Sequence, residues 1–177
     1  MKKSTQFFKV LAIIGCILLT IVLVYESCMP GDVSSSHSST VSNTVTDVTG
    51  KVESAISGGK TDISDGWKAN FSEFHHTIRK GFGHFGAFMI LGLFATIALA
   101  NLAPKKSLGI FIAYFYGLFF AVFTEAIQLS VPGRAGVFDD VALDFSGFFT
   151  GLKIVTITWW GMLLIMSKKR KRIDRAF

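Results

Sequence analysis

The sequence predicts an all-α polytopic membrane protein, a four-transmembrane-helix bundle with a long extracytoplasmic first loop carrying one or two short amphipathic helices. Three observations predict it. Half of the 177 residues are apolar and 18 are phenylalanine, and the mean hydropathy of +0.50 exceeds what a soluble domain of this length needs for its core. Four apolar runs are long enough to cross a bilayer, which takes about 20 residues. The basic residues behind the formal charge of +6 sit mostly at the ends of those runs, as Lys2, Lys3, Lys105, Lys106 and Lys168 to Arg172. That placement marks topology and not a phosphate-binding groove, so nucleic acid is not an expected partner. The length suits one compact unit over residues 1–177.

The first run spans about Phe7 to Tyr25 and is interrupted by Lys9, whose amine can snorkel to the headgroups. Ile13-Ile14-Gly15-Cys16 loosely fits a lipoprotein cleavage box after a basic start. The apolar run continues for nine residues past Cys16, however, and polar sequence starts at Glu26. A lipoprotein would pass into a polar tether, so the run reads as a retained anchor. Cys16 inside it and Cys28 just beyond it cannot reach each other as a disulfide. The second run extends from about Phe82 to Ala100, the third from about Leu108 to Leu129, and the fourth from about Val141 to Met166, before a basic tail over 167–177. Peptide groups inside a bilayer find no water, and runs this continuous satisfy them as helices.

With the N-terminus in the cytoplasm, the cytoplasmic side holds the N-terminal lysines, the Lys105-Lys106 turn and the tail. The other side holds Arg134 in a short loop and a long loop, 26–80, with more acids than bases. Lys and Arg beside helix ends set orientation, so both termini are expected inside, in a bacterial plasma membrane. The long loop begins Pro30-Gly31-Asp32-Val33-Ser34-Ser35-Ser36-His37-Ser38-Ser39, a turn-rich stretch. Val41, Val45, Val48, Val52 and Ile56 then recur at helical spacing, although the Ser and Thr between them are poor helix formers. Trp67, Phe71, Phe74 and Ile78 repeat the pattern after Ser64, a candidate N-cap, and lead into the second span as an interfacial helix.

Charged residues in or beside membrane helices are costly and demand a partner or a purpose. The topology brings most of them to one level. His84 lies about one turn into the second span, Glu125 and Gln128 near the end of the third, Arg134, Asp139 and Asp140 in the short loop, and Asp144 one turn into the fourth. Glu125 and Gln128 are three residues apart, and Asp140 and Asp144 four, so each pair shares a helix face. Gly147 and Gly151 extend the Asp140–Asp144 stripe and would let another helix approach closely. Arg134, the only base of that loop, could pair with a carboxylate or with a headgroup phosphate. The plainer alternative is that these residues fasten helix ends through buried ion pairs. Lys153, deeper in the fourth span, reads as a snorkelling or packing residue. His75-His76 read as loop residues, and no metal or other cofactor is expected.

Arg79-Lys80-Gly81-Phe82-Gly83-His84-Phe85-Gly86-Ala87-Phe88, leading to Leu91-Gly92, resembles the start of the second helix in the VanZ-like membrane family. Glu125-Ala126-Ile127-Gln128 followed by Val131-Pro132-Gly133-Arg134 resembles that family's E-x-x-Q…P-G-R element. Asp140-Val141, Asp144, Gly147 and Gly151 fit its closing D-V-x-x-[ND]-x-x-G-x-x-x-G element. Ser27, Pro30-Gly31, Ser34 and Ser38 resemble its serine-rich exit from the first helix. The resemblance covers most of the chain apart from about Val41 to Phe74 and the tail. Phe88 stands where an aromatic hydroxyl is frequent, and Asp144 where Asn is common. The family's founding member is an accessory glycopeptide-resistance protein that lowers susceptibility to teicoplanin, and its relatives are widespread in bacterial membranes. The resemblance thus implies a cell-envelope role.

Together these readings describe a non-enzymatic membrane protein. Its cluster of His84, Glu125, Gln128, Arg134, Asp140 and Asp144 would bind a lipid headgroup, a lipid-linked cell-wall precursor or a glycopeptide. Two alternatives stand beside it. An intramembrane enzyme could use Glu125 or His84 as base, although the sequence shows no evident nucleophile and no H-x-x-x-H or H-E-x-x-H metal spacing. A small transporter would lack the internal repeats usual in carriers.

Overall fold

The computed structural model describes residues 2–57, 79–134 and 136–173. Helix α1 covers Lys2–Ser27 and α2 Gly31–Ser57. A π-helical segment, Arg79–Gly86, runs into α3, Ala87–Leu102, followed by α4, Lys106–Gln128, and α5, Phe138–Ile173. Among the described residues there is no strand. Among the described residues four stretches are long and apolar enough to span a membrane: Gln6–Ser27, Gly83–Leu102, Lys106–Gln128 and Phe138–Ser167.

Helix α3 is the centre of the bundle and packs on α1, α4 and α5. Its Phe88, Leu91 and Ala95 meet Ala113, Phe120 and Ala121 of α4 and Phe148 and Leu152 of α5. Leu91 and Phe148 are fully buried. The seam between α3 and α5 is tight because it is built on glycine. A Cβ at Gly147 would collide with the carbonyl of Phe85, and one at Gly151 with the carbonyl of Met89. Gly147 and Gly151 therefore lie directly against the π-helical segment and α3, the close approach that small residues permit between membrane helices.

Helix α1 is held on the outside of the bundle. Thr20 Oγ1 and Tyr116 Oη are 2.6 Å apart, and a Cβ at Gly15 would stand 2.9 Å from the Phe94 ring. Elsewhere α1 turns Ile17, Leu18 and Ile21 outward, each more than half exposed. Large apolar side chains on an outer surface mark the solvent as lipid rather than water.

The two ends of the bundle differ in chemistry. One carries the turn Val131–Arg134 and is called here the Arg134 end. At the other, Lys106 Nζ lies 4.3 Å from the centre of the Trp159 ring, a cation–π contact that fixes the level of α5 beside the start of α4. Helix α5 continues past that level, and Met162 to Met166 are exposed. Lys153, exposed on the same helix, places its amine 5.1 Å from the centre of the Phe149 ring.

The start of the long loop departs from the sequence expectation. Pro30 to Ser39 reads as turn-rich, yet α2 begins at Gly31 and runs 27 residues without interruption. Three of its hydroxyls bond within the helix: Ser39 Oγ donates to the Ser36 carbonyl at 2.8 Å, Thr40 Oγ1 to the same carbonyl at 3.1 Å and Thr44 Oγ1 to that of Thr40 at 2.9 Å. Such back-bonding is compatible with a continuous helix, although it slightly destabilises and bends one. Pro30, which has no N–H, sits just before the helix, and its carbonyl accepts from Ser34 N–H at 3.0 Å. Of the apolar stripe, Val48, Val52 and Ile56 are exposed. The second stripe from Trp67 to Ile78, its N-cap Ser64 and His75-His76 lie outside the described residues.

Candidate functional site

The six clustered residues all come to the Arg134 end, and the structure divides them by the work their atoms do. Gln128, Glu125, Asp140 and Asp144 are at most 7 % exposed. Arg134 and His84 are partly buried beside them.

Arg134 closes the end of the bundle. The turn that carries it needs Gly133, whose φ is +74°, a region that only glycine enters freely. Gly31 at the start of α2 docks on this turn, donating its N–H to the Pro132 carbonyl at 3.2 Å. A Cβ on Gly31 would collide with the Gly133 carbonyl. From there the Arg134 guanidinium reaches three acceptors. Nε donates to the Met29 carbonyl at 3.2 Å, Nη2 to the Glu26 carbonyl at 2.8 Å and Nη1 to Gln128 Oε1 at 2.9 Å. Glu26 belongs to the last turn of α1 and Met29 follows it. Carbonyls at a helix C-terminus lack intrahelical donors, and a cation there also offsets the helix dipole. Arg134 thus ties α1, α4 and the turn together.

Glu125 does comparable work at the start of α5. Its Oε1 accepts the Val137 N–H at 2.7 Å, one of the backbone donors that precede the first turn at Phe138. Asp139 and Asp140 stand in that first turn, where negative charge meets the positive end of the helix dipole. Among the described residues, Glu125 Oε2 has no hydrogen-bond partner.

His84 and Asp144 form the third arrangement. The π-helical segment is a wide turn, and its glycine-rich sequence RKGFGHFG accommodates it. His84 Nδ1 lies 2.9 Å from Asp144 Oδ1, a geometry in which Nδ1 donates to the carboxylate. Asp144 is fully buried, and its Oδ2 has no hydrogen-bond partner among the described residues.

A cavity of about 310 Å³ opens beside this pair. Its polar wall comprises Asp144, His84, Gln128 and Arg134, with Glu26, Ser27 and Ser34 from α1 and α2. Its apolar wall is Val22, Leu23, Ala87 and Phe88. Among the described residues Glu125 and Asp140 do not line it. Glu26, Ser27 and Ser34 enter the site without having been singled out for it. Their signal was the serine-rich exit from the first run, Ser27-x-x-Pro30-Gly31-x-x-Ser34, which places hydroxyls where α1 and α2 both face the cavity. Among the described residues, no three His, Cys, Asp or Glu side chains converge as a metal-binding group.

A model of the VanZ/LLP1 family matches residues 12–165. No curated protein and no solved structure matches the chain significantly.

Proposed function

The chain belongs to the VanZ/LLP1 family, and from that premise we propose that it is a cell-envelope membrane protein whose cavity binds the polar headgroup of a membrane-resident molecule. The observation that carries this reading is the cavity's two-sided lining, polar around Asp144, His84 and Gln128 and apolar along Val22, Leu23 and Phe88. A headgroup followed by the first carbons of its chain has the same division. About 310 Å³ stands at the lower limit of small-molecule sites, roughly 300–1,000 Å³. That volume suits a lipid headgroup or the polar end of a lipid-linked envelope precursor, and it is too small for a whole glycopeptide antibiotic. A contribution to teicoplanin resistance would therefore run through the precursor or the surrounding lipid.

The His84–Asp144 pair favours a second reading, in which His84 acts as a general base on the same ligand, oriented by the carboxylate. A turnover assay with lipid-phosphate or acyl-ester substrates separates the two. Binding without turnover leaves the first.

The binding test fills the cavity. Ala87→Trp should abolish the retention of one lipid per protein in native mass spectrometry of the detergent-solubilised chain. Unchanged lipid retention by this variant would sink the reading.

The cavity is proposed to face the outer leaflet, with both termini in the cytoplasm. In a protein lacking Cys16 and Cys28, Ser39→Cys should react with an impermeant thiol reagent on intact cells. Arg170→Cys should react only after permeabilisation. The reverse pattern would put the cavity in the cytoplasmic leaflet and exclude ligands that arrive from outside.

A further inference from the structure

We infer that the cavity selects headgroups that donate hydrogen bonds, through an ammonium or a hydroxyl, and that Asp144 is the group that reads them. This rests on the headgroup-binding reading above and adds the chemistry of the ligand. Asp144 lines the cavity and is fully buried. One carboxylate oxygen takes His84 Nδ1 at 2.9 Å, while Oδ2 has no hydrogen-bond partner among the described residues. An ionised carboxylate oxygen only accepts, and leaving one buried without a donor is costly. A ligand that brings N–H or O–H groups removes that cost.

The cation beside it does not point to an anionic ligand instead. Nε, Nη1 and Nη2 of Arg134 each donate to a protein oxygen at 2.8 to 3.2 Å. At three of its five N–H groups a bare phosphate or carboxylate would have to displace a protein acceptor, and in the same cavity it would meet the Asp144 carboxylate. A zwitterionic or polyol headgroup can present its donors to Asp144 and leave its phosphate toward the mouth of the cavity.

The test is a series of diacyl lipids that share chains and phosphate and differ in donors. Phosphatidylethanolamine, its N-methyl and N,N-dimethyl derivatives and phosphatidylcholine are titrated against the full chain, with retention read by native mass spectrometry. Affinity should fall about tenfold or more with loss of the last N–H, the scale of one charge-assisted hydrogen bond. Phosphatidylglycerol, bulkier than ethanolamine but a donor, should bind with the tight group, which separates donation from size. Asp144→Asn should narrow the gap between phosphatidylethanolamine and phosphatidylcholine to about twofold. Equal binding across the series by the natural protein overturns the proposal, as does a gap that persists in Asp144→Asn. If Asp144→Asn does not fold, the series on the natural protein decides alone. Retention that ignores the series and is also untouched by Ala87→Trp defeats the headgroup-binding reading itself. Retention that ignores the series but is lost in Ala87→Trp defeats the donor requirement alone.

Discussion

Arg134→Gln is expected to destabilise the folded protein by about 3 kcal/mol, although the residue belongs to a loop. The sequence alone left two roles open, an arginine held for a ligand's phosphate or carboxylate and a fastener of helix ends. Its bonds to Glu26, Met29 and Gln128 favour the fastener. Hydrogen bonds to a charged group contribute roughly 1.5–3 kcal/mol each, and Gln offers only two neutral N–H donors on one nitrogen of a shorter side chain. Two of the acceptors are carbonyls at the C-terminal end of α1, so the loss falls on the junction of α1 with the turn and α4. For a chain of this size such a loss lowers the melting temperature by roughly 6–12 °C. Thermal unfolding in detergent checks this beside a complementation assay. An unchanged melting temperature with a lost phenotype would return Arg134 to ligand binding.

A larger effect is expected at Gly147→Leu, which should yield little or no monodisperse protein. Overpacking usually costs about 1–3 kcal/mol because neighbouring side chains can shift. Here the obstacle is the Phe85 carbonyl, part of a hydrogen-bonded backbone, so the cost exceeds that range. The seam also holds Asp144 against His84, one turn along α5, so widening it would part the pair at the same time. Gly161→Leu provides the control on the same helix, since nothing lies within 4 Å of a Cβ there. Size-exclusion profiles of the two variants should be opposite. Equal behaviour would mean that α5 is not packed on α3 through this face.

Much of this architecture was legible because lipid imposes simple rules. Four apolar runs became four spans, and the polar residues that lipid excludes converged at one end. Their spacing also marked the face of α5 that carries Gly147 and Gly151. What stayed hidden was which atoms pair. The acceptors of Arg134 at Glu26 and Met29 are backbone carbonyls more than 100 residues away in sequence, and backbone carries no residue signature. The same holds for Glu125, whose partner is the Val137 N–H. The length of α2 was hidden for another reason. Ser and Thr report a preference measured in water, while at Ser39, Thr40 and Thr44 the hydroxyl bonds a carbonyl of its own helix. The π-helical turn before α3 was likewise invisible, because glycines permit a wide turn without demanding it.

The overreach of α5 has a consequence for the membrane around the protein. From Trp159, level with the start of α4, to Met166 the helix rises about 10 Å further, and its side chains there are apolar and exposed. The neighbouring helices offer the bilayer a thinner hydrophobic belt than α5 does. Lipid that wets both must thicken beside α5, or α5 must tilt, and either response carries a modest free-energy cost per ångström of mismatch. The leaflet next to the basic tail is therefore shaped by one stave of the bundle, which couples the protein's orientation and company in the plane to local bilayer thickness.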